Sequence, residues 1–133
     1  LTALVPTLRR PLDVIDGEAH GHISELMLDA DVMVGSGGMS VYEIAALGTP
    51  GVILGQNARE DKRMREFALH GTVTYLGLGP EVEPGAIAVA VGQLLGDPEK
   101  RRQMSMRGRK LVDGLGATRA AEVVLERQAK GTR

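Results

Sequence analysis

Apolar positions recur along this chain with two periods, and the alternation between them outlines the fold. Ile23, Leu26, Met27 and Ala30 fall at i, i+3, i+4 and i+7, which predicts a helix over 22–30. Short runs rich in aliphatic and β-branched residues predict strands over 12–15, 31–34, 51–54 and 72–76, each bounded by Asp, Gly or Pro. Between them lie helical patterns over 40–47 and 60–69. In the first, Gly48 stands where a left-handed C-cap is wanted and Pro50 follows. In the second, Met64, Phe67 and Ala68 face inward.

Helical patterns then follow one another to the end. Residues 84–95 carry Ile87, Val91, Leu94 and Leu95 on one face, and Asp97-Pro98 supplies an N-cap and a first-turn proline for the next helix, which runs to about Val112. Gly114 and Gly116 break it, and a last helix is expected over 118–128. Strands alternating with helices require crossover connections. The expected class is therefore α/β, a Rossmann-like, mostly parallel sheet flanked by helices, in a single domain over 1–133.

Composition narrows the function. Phe67, Tyr42 and Tyr75 are the only aromatics, too few for base-stacking platforms, and the net charge is −1, so no nucleic-acid partner is expected. Lys100, Arg101, Arg102, Arg107, Arg109 and Lys110 form the one basic cluster. It reads as a solvated helix face, or as a docking face for membrane phosphates or a partner chain. With no cysteine and no spacing of acidic or histidine ligands, no metal site and no cofactor are expected. No apolar run approaches the ~20 residues of a membrane helix, and a cytoplasmic location is expected. His20 and His22 flank a helix start, and capping or surface roles are expected of them. His70 is expected to support a helix C-terminus.

The segment from Gly35 through Ser36, Gly37, Gly38, Met39, Ser40, Val41 and Tyr42 to Glu43 leaves a strand and opens a helix. Ligands of doubly wound sheets sit beyond the carboxyl ends of strands, and the free N–H groups at a helix start favour a phosphate. Gly37, Gly38, Met39 and Ser40 could donate to a diphosphate, and Glu43, one turn on, suits a ribose diol. The same residues also spell a capping box, with Ser40 as N-cap and Glu43 reaching back. Spacing alone leaves both readings open. No lysine follows the glycines, so this is not a Walker loop, and the G-x-G-x-x-G spacing is absent.

Residues 30–50 combine an alanine-aspartate strand, a GG-x-S-x-x-E turn and helix, and Gly48-Thr49-Pro50. This arrangement resembles the C-terminal nucleotide-sugar-binding domain of glycosyltransferase-B-fold enzymes. Asp113-Gly114-Leu115-Gly116-Ala117-Thr118-Arg119 resembles the D-G-x-G-A-x-R of one branch, the UDP-sugar hydrolase of pseudaminic acid biosynthesis and its spore-coat polysaccharide relatives.

The resemblance implies that amides of Gly37 to Ser40 hold the diphosphate of a UDP-sugar and Glu43 its ribose. It places the uracil against backbone at Ile15 and Asp16, and it points to Gln56 and Asn57 as contacts to nucleotide or sugar. Asn57 reads equally well as a helix cap.

The implied activity is that of a nucleotide-sugar hydrolase or hexosyltransferase of surface-glycan biosynthesis, with the catalytic residues unassigned. In that family the catalytic base lies in an N-terminal domain, and two strands precede the one at 12–15. This chain alone is thus expected to lack a full active site and to need a missing domain, a partner chain or a second copy of itself. The competing readings are a non-catalytic binding subunit and a flavodoxin-like regulatory domain.

Overall fold

The computed structural model describes residues 22–131. In chain order these form α1 (Ile23–Asp29), β1 (Met33–Ser36), α2 (Ser40–Leu47), β2 (Gly51–Gly55), α3 (Ala58–Leu69), β3 (Val73–Leu78), a short 3-10 turn at Gly79–Glu81, α4 (Pro84–Gly96), α5 (Pro98–Leu111) and α6 (Gly116–Gly131). The strand expected over 12–15 lies outside the described residues.

The three strands form one parallel sheet in the order β1-β2-β3, with Val34 opposite Val52 and Ile53 opposite Tyr75. Alternation along β2 divides the core. Ile53 faces a cluster built by Met27, Val41, Ile44, Met64 and Phe67 from α1, α2 and α3. Its neighbour Val52 faces Ala90, Val91, Leu94 and Met104 from α4 and α5. Both residues are fully buried, as a central strand covered on two faces must be. The result is the α/β, Rossmann-like arrangement that the strand and helix periods predict.

Element positions agree with the sequence pattern to within a few residues, and the differences have causes. The first strand is displaced to Met33–Ser36 because Met33 N–H is taken by the Pro50 carbonyl at 2.9 Å, which sets the register against β2. The first helical pattern is less buried than its period implies: Met27 is in the core, while Ile23 is 41% exposed. Gly48 does adopt the left-handed conformation, with φ of 80°. Behind it, Thr49 Oγ1 donates to the Met27 carbonyl at 2.6 Å and ties α1 to the start of β2.

Two basic residues of α5 bond helix ends. Arg101 donates to the carbonyls of Leu94 and Leu95 at the end of α4, and Arg109 to that of Leu47 at the end of α2. Arg107 packs over Gly71, just past the end of α3. Cations at helix C-termini oppose the helix dipole. Arg102 is held by Glu99. These contacts give Arg101, Arg102 and Arg109 intramolecular partners, while Lys100 and Lys110 stay exposed on the same helix. The helix α5 can lie this close because Gly108 has no side chain, since a Cβ there would come 2.8 Å from the Ala45 carbonyl oxygen.

Candidate functional site

The carboxyl ends of β1 and β2 and the turn after β3 enclose a cleft of about 420 Å³, lined by Ser36, Leu54, Gly55, Gln56, Pro80 and Ile87 among others. It opens where the parallel-sheet rule expects a ligand. Of the residues singled out from the sequence, Gly35, Ser36 and Gln56 line it, whereas Gly37 to Ser40, Glu43 and Asn57 do not. The turn from Gly37 to Ser40 continues directly from Ser36 at its rim. Ile15 and Asp16 lie outside the described residues. Gly55, Pro80 and Ile87 were not expected, although the rule that ligands sit beyond strand ends applies equally to the turns after β2 and β3.

The four turn residues divide into two kinds. The Gly37 amide donates to the Leu54 carbonyl at 2.8 Å, extending the β1–β2 ladder by one rung, so this N–H is not available to a ligand. Its expected role as a diphosphate donor is therefore corrected. Gly37 is glycine for packing: a methyl group there would lie 2.6 Å from Met64 Cγ and 3.3 Å from Glu60 Oε2. The amides of Gly38, Met39 and Ser40 have no acceptor among the described residues. Gly38 has a negative φ, and a Cβ on it would meet nothing closer than Ser36 Oγ at 3.9 Å. Neither backbone conformation nor packing demands a glycine there.

The capping box does not form. Helix α2 is preceded by Met39 in a helical conformation, and no side chain caps its start. Ser40 is already inside the helix, so its hydroxyl cannot reach the orphan amides as an N-cap would. Glu43 lies in the first turn, exposed, with no hydrogen bond or ion pair among the described residues. Its neighbour Tyr42 packs edge-on against Phe67, with centroids 5.1 Å apart, which fixes that turn of the helix to α3.

The turn after β2 is organised differently. Asn57 is the N-cap of α3, its Oδ1 accepting from the amides of Arg59 and Glu60 at 3.1 and 3.0 Å. The capping reading of Asn57 is the one observed, and this oxygen is occupied. Glu60 Oε2 accepts the Gln56 amide at 2.9 Å, leaving the Gln56 side chain exposed at the cleft.

Beneath this turn, Tyr75 Oη donates to Asp61 Oδ1 at 2.7 Å, and Arg65 holds both oxygens of the same carboxylate. Burial and the adjacent Asp61 carboxylate push the Tyr75 hydroxyl up to about 12. Arg65 and then Tyr75 hold the Asp61 carboxyl below its usual range. The Tyr75 hydroxyl fills the space that a side chain on Gly55 would need, 2.6 Å from its Cβ position.

Arg119 of the tail segment pairs with Asp113 at 2.8 Å, and Asp113 also accepts the Leu115 amide at 3.0 Å. That motif thus closes on itself at the start of α6. No group of three or more metal-ligating side chains exists among the described residues. No described helix is long and apolar enough to cross a membrane.

No family model matches this chain. It is similar to the spore coat polysaccharide biosynthesis protein SpsG of Bacillus subtilis (strain 168), with 29% identity over 107 residues. The match covers 80% of this chain and 32% of that protein, so the chain spans about a third of its relative's length. This similarity supports a link to polysaccharide biosynthesis.

Proposed function

We propose that this chain holds the nucleoside diphosphate part of a UDP-sugar, as the C-terminal part of a nucleotide-sugar hydrolase or glycosyltransferase of surface-glycan biosynthesis. One observation carries the reading. Among the described residues the amides of Gly38, Met39 and Ser40 have no acceptor, at the start of α2 and the carboxyl end of β1, beside a Gly38 that the described packing does not require.

Unpaired amides at a helix start suit a phosphate. Glu43, in the first turn of α2 and without a partner among the described residues, suits a ribose diol. The similarity to a spore coat polysaccharide biosynthesis protein supports the pathway class. The chain contributes by binding and by stabilising charge on a departing diphosphate, with the residue that activates water or acceptor supplied by a further domain.

A second reading is a binding subunit that acts with a partner chain. The fully exposed α6, with Val123, Val124 and Leu125 on its surface, favours it.

The test is calorimetric titration of the full-length protein with UDP, TDP, CMP and GDP, repeated on Glu43→Ala. Preference for UDP, weakened by roughly 1.5–3 kcal/mol in the variant, is expected for lost hydrogen bonds to a charged group. Equal affinity of wild type and variant, or no nucleotide binding, would overturn the reading.

A further inference from the structure

Glu60 touches both turns that frame the proposed nucleotide site. Its Oε2 accepts the Gln56 amide at 2.9 Å, on the turn after β2. The same oxygen stands 3.3 Å from the place a Gly37 methyl would occupy, on the turn after β1. Glu60 is half-buried there, and its own amide is pinned by Asn57 at 3.0 Å. The side chain is therefore held from its backbone and wedged between the two turns. Met64, one helical turn on, closes against Gly37 behind it.

This placement carries a conflict. A carboxylate lies beside Gly37, the residue that precedes the amides that would receive a diphosphate, and like charges repel at short range. An uncharged acceptor could satisfy the Gln56 amide without that opposition. The carboxylate thus orders the turn after β2 beside Gly37 and at the same time weakens the grip on the anion.

We infer that Glu60 is a positioning residue of the diphosphate site, ordering the turn after β2 through Gln56 N–H while its side chain packs beside Gly37 of the turn after β1, and that its charge opposes the bound anion. The inference rests on the nucleotide reading above. It separates shape from charge. Glu60→Gln keeps an oxygen at the same reach and removes the charge. Glu60→Asp keeps the charge but is too short to reach the Gln56 amide. Glu60→Ala loses both.

The experiment is titration of UDP into full-length wild type and these three variants, with Glu43→Ala alongside and a melting curve for each. Glu60→Gln should lower the Kd for UDP, whereas Glu60→Asp and Glu60→Ala should raise it several-fold. A role confined to helix stability would move melting temperatures and leave every Kd together. Glu60→Asp supplies the answer where Glu60→Ala does not fold.

Wild-type Kd in both Glu60→Asp and Glu60→Gln, with Glu43→Ala still weakened, would overturn this inference and leave the nucleotide reading standing. Equal weakening in Glu60→Gln and Glu60→Asp would also overturn it, because it would mean the ligand needs the carboxylate itself. Absence of UDP binding in wild type would overturn both.

Discussion

Arg109 donates through Nε and Nη2 to the carbonyl oxygen of Leu47, at 3.1 and 2.9 Å, across 62 residues of chain. One guanidinium thus closes the carboxyl end of α2, the helix whose opposite end carries the proposed phosphate amides. Arg109→Ala should destabilise the protein by about 0.3–1 kcal/mol, the range for a cation at an exposed helix terminus. Arg109→Lys should restore part of this, because it keeps the charge and loses the two-pronged donation. Urea denaturation checks both, and an unchanged midpoint in Arg109→Ala would show that the contact contributes nothing.

The two glycines of the turn should respond in opposite ways. Gly38 has open space around its Cβ position, so Gly38→Val should leave the melting temperature near that of wild type and abolish UDP binding by filling the approach to the amides. A Cβ on Gly37 would come 2.6 Å from Met64 Cγ, so even Gly37→Ala should lower the melting temperature. Parallel melting curves and UDP titrations decide the matter. If Gly38→Val unfolds the protein, the residue is a structural glycine after all.

The tail ion pair gives a pH dependence of known sign. Its hydrogen bond with Arg119, followed by that from the Leu115 amide, lowers the Asp113 carboxyl from 3.8 to about 2. A depressed carboxyl contributes stability above its unfolded value and loses it as pH falls through the folded one. Order at the start of α6 should therefore be retained above 3.8 and fade as pH falls toward about 2. The pair is solvent-exposed, so the effect should shrink in high salt. Chemical shifts of the Leu115 and Arg119 amides, followed through that range in wild type and Asp113→Asn, provide the measurement. A profile identical in the variant would assign the transition to another group.

Strand β1 pairs with β2 alone among the described residues, and its four residues are half-buried and uncharged. No lysine, proline or bulge blunts that outer edge, and natural sheets rarely leave such an edge uncovered. In the full-length protein the β1 amides should exchange as slowly as those of β2, through pairing with a further strand. Hydrogen exchange followed by mass spectrometry reads this directly, and fast exchange confined to β1 would show a free edge.

Much of this molecule follows from local chemistry. The period of apolar residues determines α2, α3, α4 and α5, because each helix must turn one face inward whatever its partner. Gly48 and Asp97 act within their own turn, so their capping is legible without a structure. The same holds for Asn57 once its two amide donors are seen to be two and three residues away.

The turn after β1 is different. Ser40 and Glu43 spell a capping box, yet Ser40 is already the first residue of α2 and no side chain caps its start, while Gly37 is drawn into the β1–β2 ladder by Leu54. That ladder joins residues distant in sequence, and only their pairing decides which amides of the turn remain free. The commitment of Arg101 and Arg109 to helix ends, and the seat of Glu60 between two turns, depend likewise on contacts made across the fold. A string of residues carries the charges but not the distances between them, and distance sets whether a carboxylate supports a site or opposes it.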